Sequence, residues 1–198
     1  MKEKIIEKAC ELFLKFGFKS VTMDDIAGEM CISKKTIYKY FCNKEILVKE
    51  TTIVVRDQIN EIIQKIISEN HNAIKENFEI RKIFKEMFKS SDDSSVFQLK
   101  KHYPEIYQNI FKSEIQKHKK IFSDNINKGI KEGLYRKDLN INNYVDFYYY
   151  LIFNIHEDTT SEIDCQKIEL EALEYHTRAM ATSKGIKELE SHLYSIYQ

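Results

Sequence analysis

Residues 22 to 47, TMDDIAGEMCISKKTIYKYFCNKEIL, leave this chain little freedom of fold. Thr22 followed by Asp25 has the form of a capping box, in which hydroxyl and carboxylate satisfy backbone N–H groups at a helix start. Ile26, Ala27 and Met30 give that helix one buried stripe. Cys31-Ile32 is too short for anything but a turn, and Ser33 can cap a second helix from Lys34 to Phe41. Ile37, Tyr40 and Phe41 recur at the spacing of one face. Lys34, Lys35, Thr36, Tyr38 and Lys39 are left to project elsewhere. A short helix with cations and hydroxyls on its free face suits a DNA groove. The stretch reads as a helix-turn-helix.

Charge placement supports that reading. The chain's formal net charge is zero, which excludes a nonspecific polycation. Residues 34–49 nevertheless hold Lys34, Lys35, Lys39, Lys44 and Lys49 against Glu45 alone, a local balance of +4. A positive patch on a neutral protein is what a sequence-selective DNA binder needs.

The motif S-K-K-T-I-Y-K-Y-F followed by N-K-E-I-L resembles the signature of the tetracycline-repressor (TetR) family. So does the approach A-x-x-L-F-x-x-x-G-F-x-x-V-T-M-D-D-I-A, from Ala9 to Ala27. The close match covers roughly the first fifty residues; beyond them, Gly129 to Asp138, GIKEGLYRKD, resembles a late-helix ending common in the family. Met30 and Cys31 stand where the family mostly has Ala and Gly, and Lys35 where a small residue is frequent. A non-glycine at position 31 is expected to adopt a left-handed backbone at a cost of about 1 kcal/mol. Lys35 is expected to alter what is read rather than whether DNA is bound.

The rest of the chain reads as helices. One proline and five glycines in 198 residues leave little punctuation for short strands. Hydrophobic residues at 42% can build a core and charged residues at 31% can cover it. Helix 1 is expected from Lys2 to Phe16, stopped by Gly17. A fourth helix, capped by Asn43, begins at Lys44 and carries an apolar stripe to about Ser68, some 37 Å of continuous rod at 1.5 Å per residue. Ile74 to Phe88 gives a fifth, broken by the polar run Ser90 to Ser95, and Val96 to His102 a short sixth. Pro104 opens a seventh that ends near Gly133. Asn142 to Glu157, containing YVDFYYYLIFNI, is apolar almost all round and must face both its own core and something else. Two more stripes, Ile168 to Met180 and Ile186 to Ile196, are separated at Thr182 to Gly185. The fold expected is all-α, with about nine or ten helices: a helix-turn-helix head over 1–48 and a larger ligand-binding and dimerisation domain over 49–198.

The expected DNA-binding set is Thr22, Ser33, Lys34, Lys35, Thr36, Tyr38, Lys39, Tyr40 and Lys44. Lysine donates to guanine O6 and N7, and a threonine offers a hydroxyl and a methyl to base edges. Tyrosine hydroxyls can donate to phosphate. The resemblance implies that Tyr40 and Lys44 clamp the backbone. It also implies an inducer cavity among the later helices, for which Phe84, Phe88, Tyr107, Phe111, His118, Phe122, Tyr149 and Asn154 are the candidates, taking a small apolar or aromatic effector. Late helices of two subunits pack as a four-helix bundle in the family, which points to Tyr144, Tyr148, Leu151, Ile155, Leu173, His176 and Met180 as a homodimer interface.

Other functions lack a sequence basis. The chain contains no H-E-x-x-H, no Gly-rich phosphate loop and no G-x-S-x-G, so an enzyme is not expected. Cys10, Cys31, Cys42 and Cys165 have no C-x-x-C spacing, and neither a metal nor another cofactor is expected. The charged, amphipathic N-terminus is unlike a signal peptide, and no window approaches the ~18 apolar residues of a membrane span. The expected setting is the reducing cytoplasm. The expected function is a DNA-binding transcriptional regulator, a ligand-responsive repressor acting on an inverted-repeat operator. The alternative is an architectural DNA-binding protein without an effector.

Overall fold

The computed structural model describes residues 1–87, 95–158 and 161–196, without the side chains of 84, 87, 95, 96, 111–113, 156–158, 162, 195 and 196. Ten helices occupy the described residues, whose isolated antiparallel bridge joins Tyr135 to Ala181. The all-α expectation holds.

The first helix, α1 (Lys2–Ser20), does not end at Gly17 as expected but bends there and resumes. Gly17 has φ 80 and ψ 159, a region open essentially only to glycine. A Cβ at this position would lie 2.5 Å from Oε1 of Gln98, which packs into the bend. Helix α2 (Met23–Glu29) opens with the expected capping box: the Thr22 amide donates to Asp25 Oδ2 at 2.8 Å and the Asp25 amide to Thr22 Oγ1 at 3.1 Å. Cys31 takes the left-handed conformation at φ 52. Helix α3 (Lys34–Tyr40) ends one residue short of the expectation because Phe41 is already extended. Helix α4 (Lys44–Ser68) has the expected limits, with Asn43 Oδ1 accepting from the Ile46 amide at 2.9 Å.

The body comprises α5 (Ala73–Met87), α6 (Ser95–His102), α7 (Pro104–Lys131), α8 (Ile141–Asp158), α9 (Glu162–Met180) and α10 (Ser183–Ile196). The expected break at Ser90 to Ser95 lies outside the described residues up to Ser95, which opens α6. The segment GLYRKD joins distant elements. The Arg136 amide donates to the Met180 carbonyl, and the Thr182 amide to the Leu134 carbonyl, each at 2.9 Å. Tyr135, 1% exposed, fills the space over Gly129, where a Cβ would lie 2.2 Å from its ring.

Two hydrophobic cores result. The first gathers Ile5, Phe13, Ile26, Ile37, Phe41 and Leu47 from the head, together with Leu99, Ile106 and Tyr107 of α6 and α7. The head is therefore completed by body helices, and a boundary at residue 48 falls inside α4. The second core joins Ile74 and Phe78 of α5, Phe122 and Ile126 of α7, Val145 of α8, Leu173 and Met180 of α9, and Leu189 of α10. Beside it, buried Asn125 donates to Glu76 Oε1 at 2.7 Å and Lys128 reaches Glu76 Oε2 at 2.7 Å. A satisfied buried network of this kind fixes one register of α5 against α7.

Candidate nucleic-acid interface and interior cavity

Helix α3 is held by two side chains. Ile37 and Phe41 are 0% and 1% exposed, and burying each contributes about 1.5–3 kcal/mol. Their burial leaves Lys34, Lys35, Tyr38, Lys39 and Tyr40 on the outside, with Thr36 half-buried. Tyr40, expected on the same face as Ile37, is 38% exposed, so its ring edge and hydroxyl remain available to a phosphate. Thr22 and Ser33 are engaged as caps. Ser33 Oγ accepts from the Thr36 amide at 3.1 Å and lies 2.9 Å from Thr36 Oγ1.

Two cations have partners that the sequence pattern did not reveal. Lys34 forms an ion pair with Asp24 of α2, and that contact holds its ammonium above the ordinary pKa. Lys44, at the first position of α4, is half-buried with Nζ 5.9 Å from the Phe13 ring centroid. Burial lowers its pKa and nearby Asp25 opposes the shift. A cation placed there stands beside the free N–H groups of a helix start, where anions bind.

A cavity of about 380 Å³ lies between α4 and α7. His118, Phe122 and Tyr149 line it as expected. Tyr107 and Asn154 do not and are corrected: Tyr107 is packed in the head core, while exposed Asn154 donates its amide to the Tyr150 carbonyl at 2.7 Å. Phe88 and the side chains of Phe84 and Phe111 lie outside the described residues. Arg56 and Glu114, not expected there, join His118 in the polar wall, and Asn60 bonds to Glu114 and His118 from behind it. Asn60 Nδ2 donates to Glu114 Oε2 at 2.9 Å, Arg56 Nε stands 3.8 Å from Glu114 Oε1, and His118 Nε2 is 3.3 Å from Asn60 Oδ1. Burial lowers the His118 pKa against the pull of Glu114, which favours a neutral ring. The available sequence signal was polar residues interrupting the apolar stripes of α4 and α7.

The residues expected at a subunit interface divide into two groups. Leu173, His176 and Met180, at 1%, 2% and 0% exposed, are closed inside their own chain and have no surface to offer, which corrects that expectation for them. Tyr148 also turns inward, its ring stacked on Phe122 at 4.7 Å. Leu151 is 36% exposed, and Tyr144 and Ile155 are half-buried. Large exposed apolar groups include Phe147, Tyr150 and Phe153 on α8 and Ile163, Ile168 and Tyr175 on α9, two helices that pack against each other. His176 sits among the rings of Phe122, Tyr144 and Tyr148, without a hydrogen-bond partner at Nε2, and burial pushes its pKa down to about 4.

Among the described residues no group of three or more His, Cys, Asp or Glu side chains is placed to hold a metal, and no helix is long and apolar enough to cross a membrane. Cys10, Cys31, Cys42 and Cys165 form no disulfide with one another.

The family described as bacterial regulatory proteins, tetR family, matches residues 5–51. The biofilm operon icaADBC HTH-type negative transcriptional regulator IcaR of Staphylococcus aureus (strain Newman) is 29% identical over 107 residues, 54% of this chain and 52% of that protein. The match thus spans about half the length of the curated relatives. A transcriptional regulator from Cytophaga hutchinsonii ATCC 33406 superposes with a TM-score of 0.73 at 20% identity, covering 91% of this chain and 98% of the other. The TetR-family repressor FadR of Thermus thermophilus, solved in complex with lauroyl-CoA, superposes at 0.56 with 17% identity over 90% and 92% of the two chains.

Proposed function

We propose that this chain, which matches the tetR family of bacterial regulatory proteins over residues 5–51, is a ligand-responsive transcriptional repressor that binds an inverted-repeat DNA operator as a homodimer. One observation carries this reading. Ile37 and Phe41 lock α3 into the head while Lys35, Tyr38, Lys39 and Tyr40 face outward. Lys35 and Thr36 read base edges; Tyr38, Lys39, Tyr40 and Lys44 hold phosphates; Thr22 and Ser33 set the helix starts that carry them.

Dimerisation follows from the apolar surface of α8 and α9. Phe147 and Tyr150 are 54% and 66% exposed on α8, with Tyr175 69% exposed on α9. A two-fold pair of such faces buries them and presents two equivalent reading heads, which calls for two-fold symmetry in the DNA site. Repression is the activity named for IcaR, and FadR, solved in complex with lauroyl-CoA, is a precedent for a ligand held by a protein of this fold. The cavity between α4 and α7 supports an effector here and disfavours a purely architectural role. No catalytic step is assigned to the chain, and its place of action is the cytoplasm, with the DNA.

Footprinting on DNA from the chain's own genomic neighbourhood tests the reading. The expected result is protection of a short inverted repeat at nanomolar to sub-micromolar protein. Uniform coating without a preferred site would assign the architectural function instead.

A further inference from the structure

The cavity has long walls, and it does not stop at the body. Its wall along α4 runs from Thr51 to Ile63 and along α7 from Ile110 to Phe122, about 18 Å in each case at 1.5 Å per residue. At its upper end the wall is formed by Cys10, Phe13, Leu14 and Phe18, all on α1 of the DNA-reading head, with Leu99 of α6 beside them. Part way down, Arg56, Glu114 and His118 make a polar belt, and Asn60, outside the lining, donates to Glu114 and lies 3.3 Å from His118. Among the described residues that line the cavity, the cations Arg56 and Arg81 are matched by the carboxylates Glu114 and Glu169, so the lining favours hydrogen-bonding capacity over net charge.

We propose that the effector is an elongated, uncharged, largely apolar molecule whose polar group lies at the Arg56–Glu114–His118 belt and whose apolar end lies against α1 of the reading head. This rests on the effector reading above and adds its chemical class and its point of action. Occupancy touches the head directly, through Phe13 and Leu14, in addition to anything passed along α4. Phe13 belongs to the same core as Ile37 and Phe41, which hold the recognition helix. A ligand that shifts the Phe13 ring therefore acts on packed neighbours of α3 rather than on a distant lever.

The test uses the full chain and a series of linear 1-alkanols, the matching alkanoates, and compact aromatic alcohols as probes. Binding is read by calorimetry, operator affinity by fluorescence anisotropy, and position by site-resolved alkylation. Alkanol affinity is expected to rise about fourfold per added CH₂ and then level off once the channel is filled. The bound alkanol should slow alkylation of Cys10, in the upper wall, and leave exposed Cys31 and Cys42 unchanged. Leu14→Trp, which projects into the upper end, should lower the chain length at which affinity levels off while helical content stays the same. An alkanoate that binds more tightly than its alkanol, binding that ignores chain length, or Cys10 labelling untouched by a bound alkanol would overturn the proposal. So would the absence of alkanol binding. A compact aromatic that lowers operator affinity without protecting Cys10 would leave the effector reading standing and remove this one. Alkanols that bind with length dependence and protect Cys10, yet leave operator affinity unchanged, would leave the site and its ligand class standing and remove both the effector reading and the proposed action on the head.

Discussion

Tyr40 and Lys44 carry the most direct prediction at the scale of single residues. Tyr40→Phe together with Lys44→Ala removes two phosphate contacts, so affinity for every DNA sequence should fall and its salt dependence should flatten. Lys35→Ala or Thr36→Ala should instead relax preference at particular base pairs, by about 1–3 kcal/mol for each good contact. A panel of single-base operator variants measured at two salt concentrations separates the two patterns; a uniform loss from Lys35→Ala would move that residue to the backbone set. His176 gives a pH prediction. Its folded pKa of about 4 lies below the ordinary 6.5, so between those values the unfolded chain takes up a proton that the buried ring refuses. Its contribution is fully present above 6.5 and is lost as pH falls toward 4, by up to about 3 kcal/mol, and His118 shifts the same way. Urea midpoints of the wild type and His176→Met at pH 7 and pH 5 should differ in their pH dependence; equal dependence would show that the ring protonates without penalty. The caps at Thr22, Ser33 and Asn43 were legible because their partners lie three residues away. The Lys34–Asp24 pair and the aromatic surroundings of His176 were not, because each depends on how separate helices dock.

Elements obey the same distinction. Helix α4 was readable to its ends because one apolar stripe, an asparagine cap and the absence of any breaker all agree over 25 residues. The bend in α1 was not, since a glycine after a periodic run reads as a stop and only Gln98 of α6 reveals why the helix turns and continues. Gly17→Ala should accordingly cost more than a helix-propensity change, about 1–3 kcal/mol, because backbone and neighbour both resist a side chain. Helix α8 was correctly read as apolar on two sides, but sequence did not say which side belongs to its own chain. With Tyr148 on Phe122 and Phe147 and Tyr150 outside, the division is defined. Phe147→Glu with Tyr150→Glu should give a monomer of unchanged helical content in sedimentation at micromolar protein. Met180→Glu, placing a charge at a 0% exposed position, should unfold the chain at a cost of about 3–5 kcal/mol. A wild type that sediments as a monomer would remove the dimer reading.

At the scale of the whole molecule, the head and body share structure rather than meeting at a joint. Leu99, Ile106 and Tyr107 complete the head core, α4 runs unbroken for about 37 Å, and one cavity touches both α1 and α9. The continuous α4 was visible in the sequence, but the shared core and the shared cavity were not, because a two-domain division is natural wherever a motif ends. The physical consequence concerns DNA. Two heads in a dimer must enter grooves at a fixed spacing, so a change of a few ångströms at either head prevents both from docking. A ligand that shifts α1 or tilts α4 therefore binds a form that the operator disfavours. Linkage makes the effect reciprocal: the factor by which ligand weakens operator binding must equal the factor by which operator weakens ligand binding, typically 5–150-fold. The measurement is a calorimetric titration of the best-binding probe into the protein alone and into its saturated operator complex. Equal affinities in the two titrations would mean that the probe fills the cavity without differential binding to the two forms, and a cavity ligand with no differential affinity shifts no equilibrium however tightly it is held.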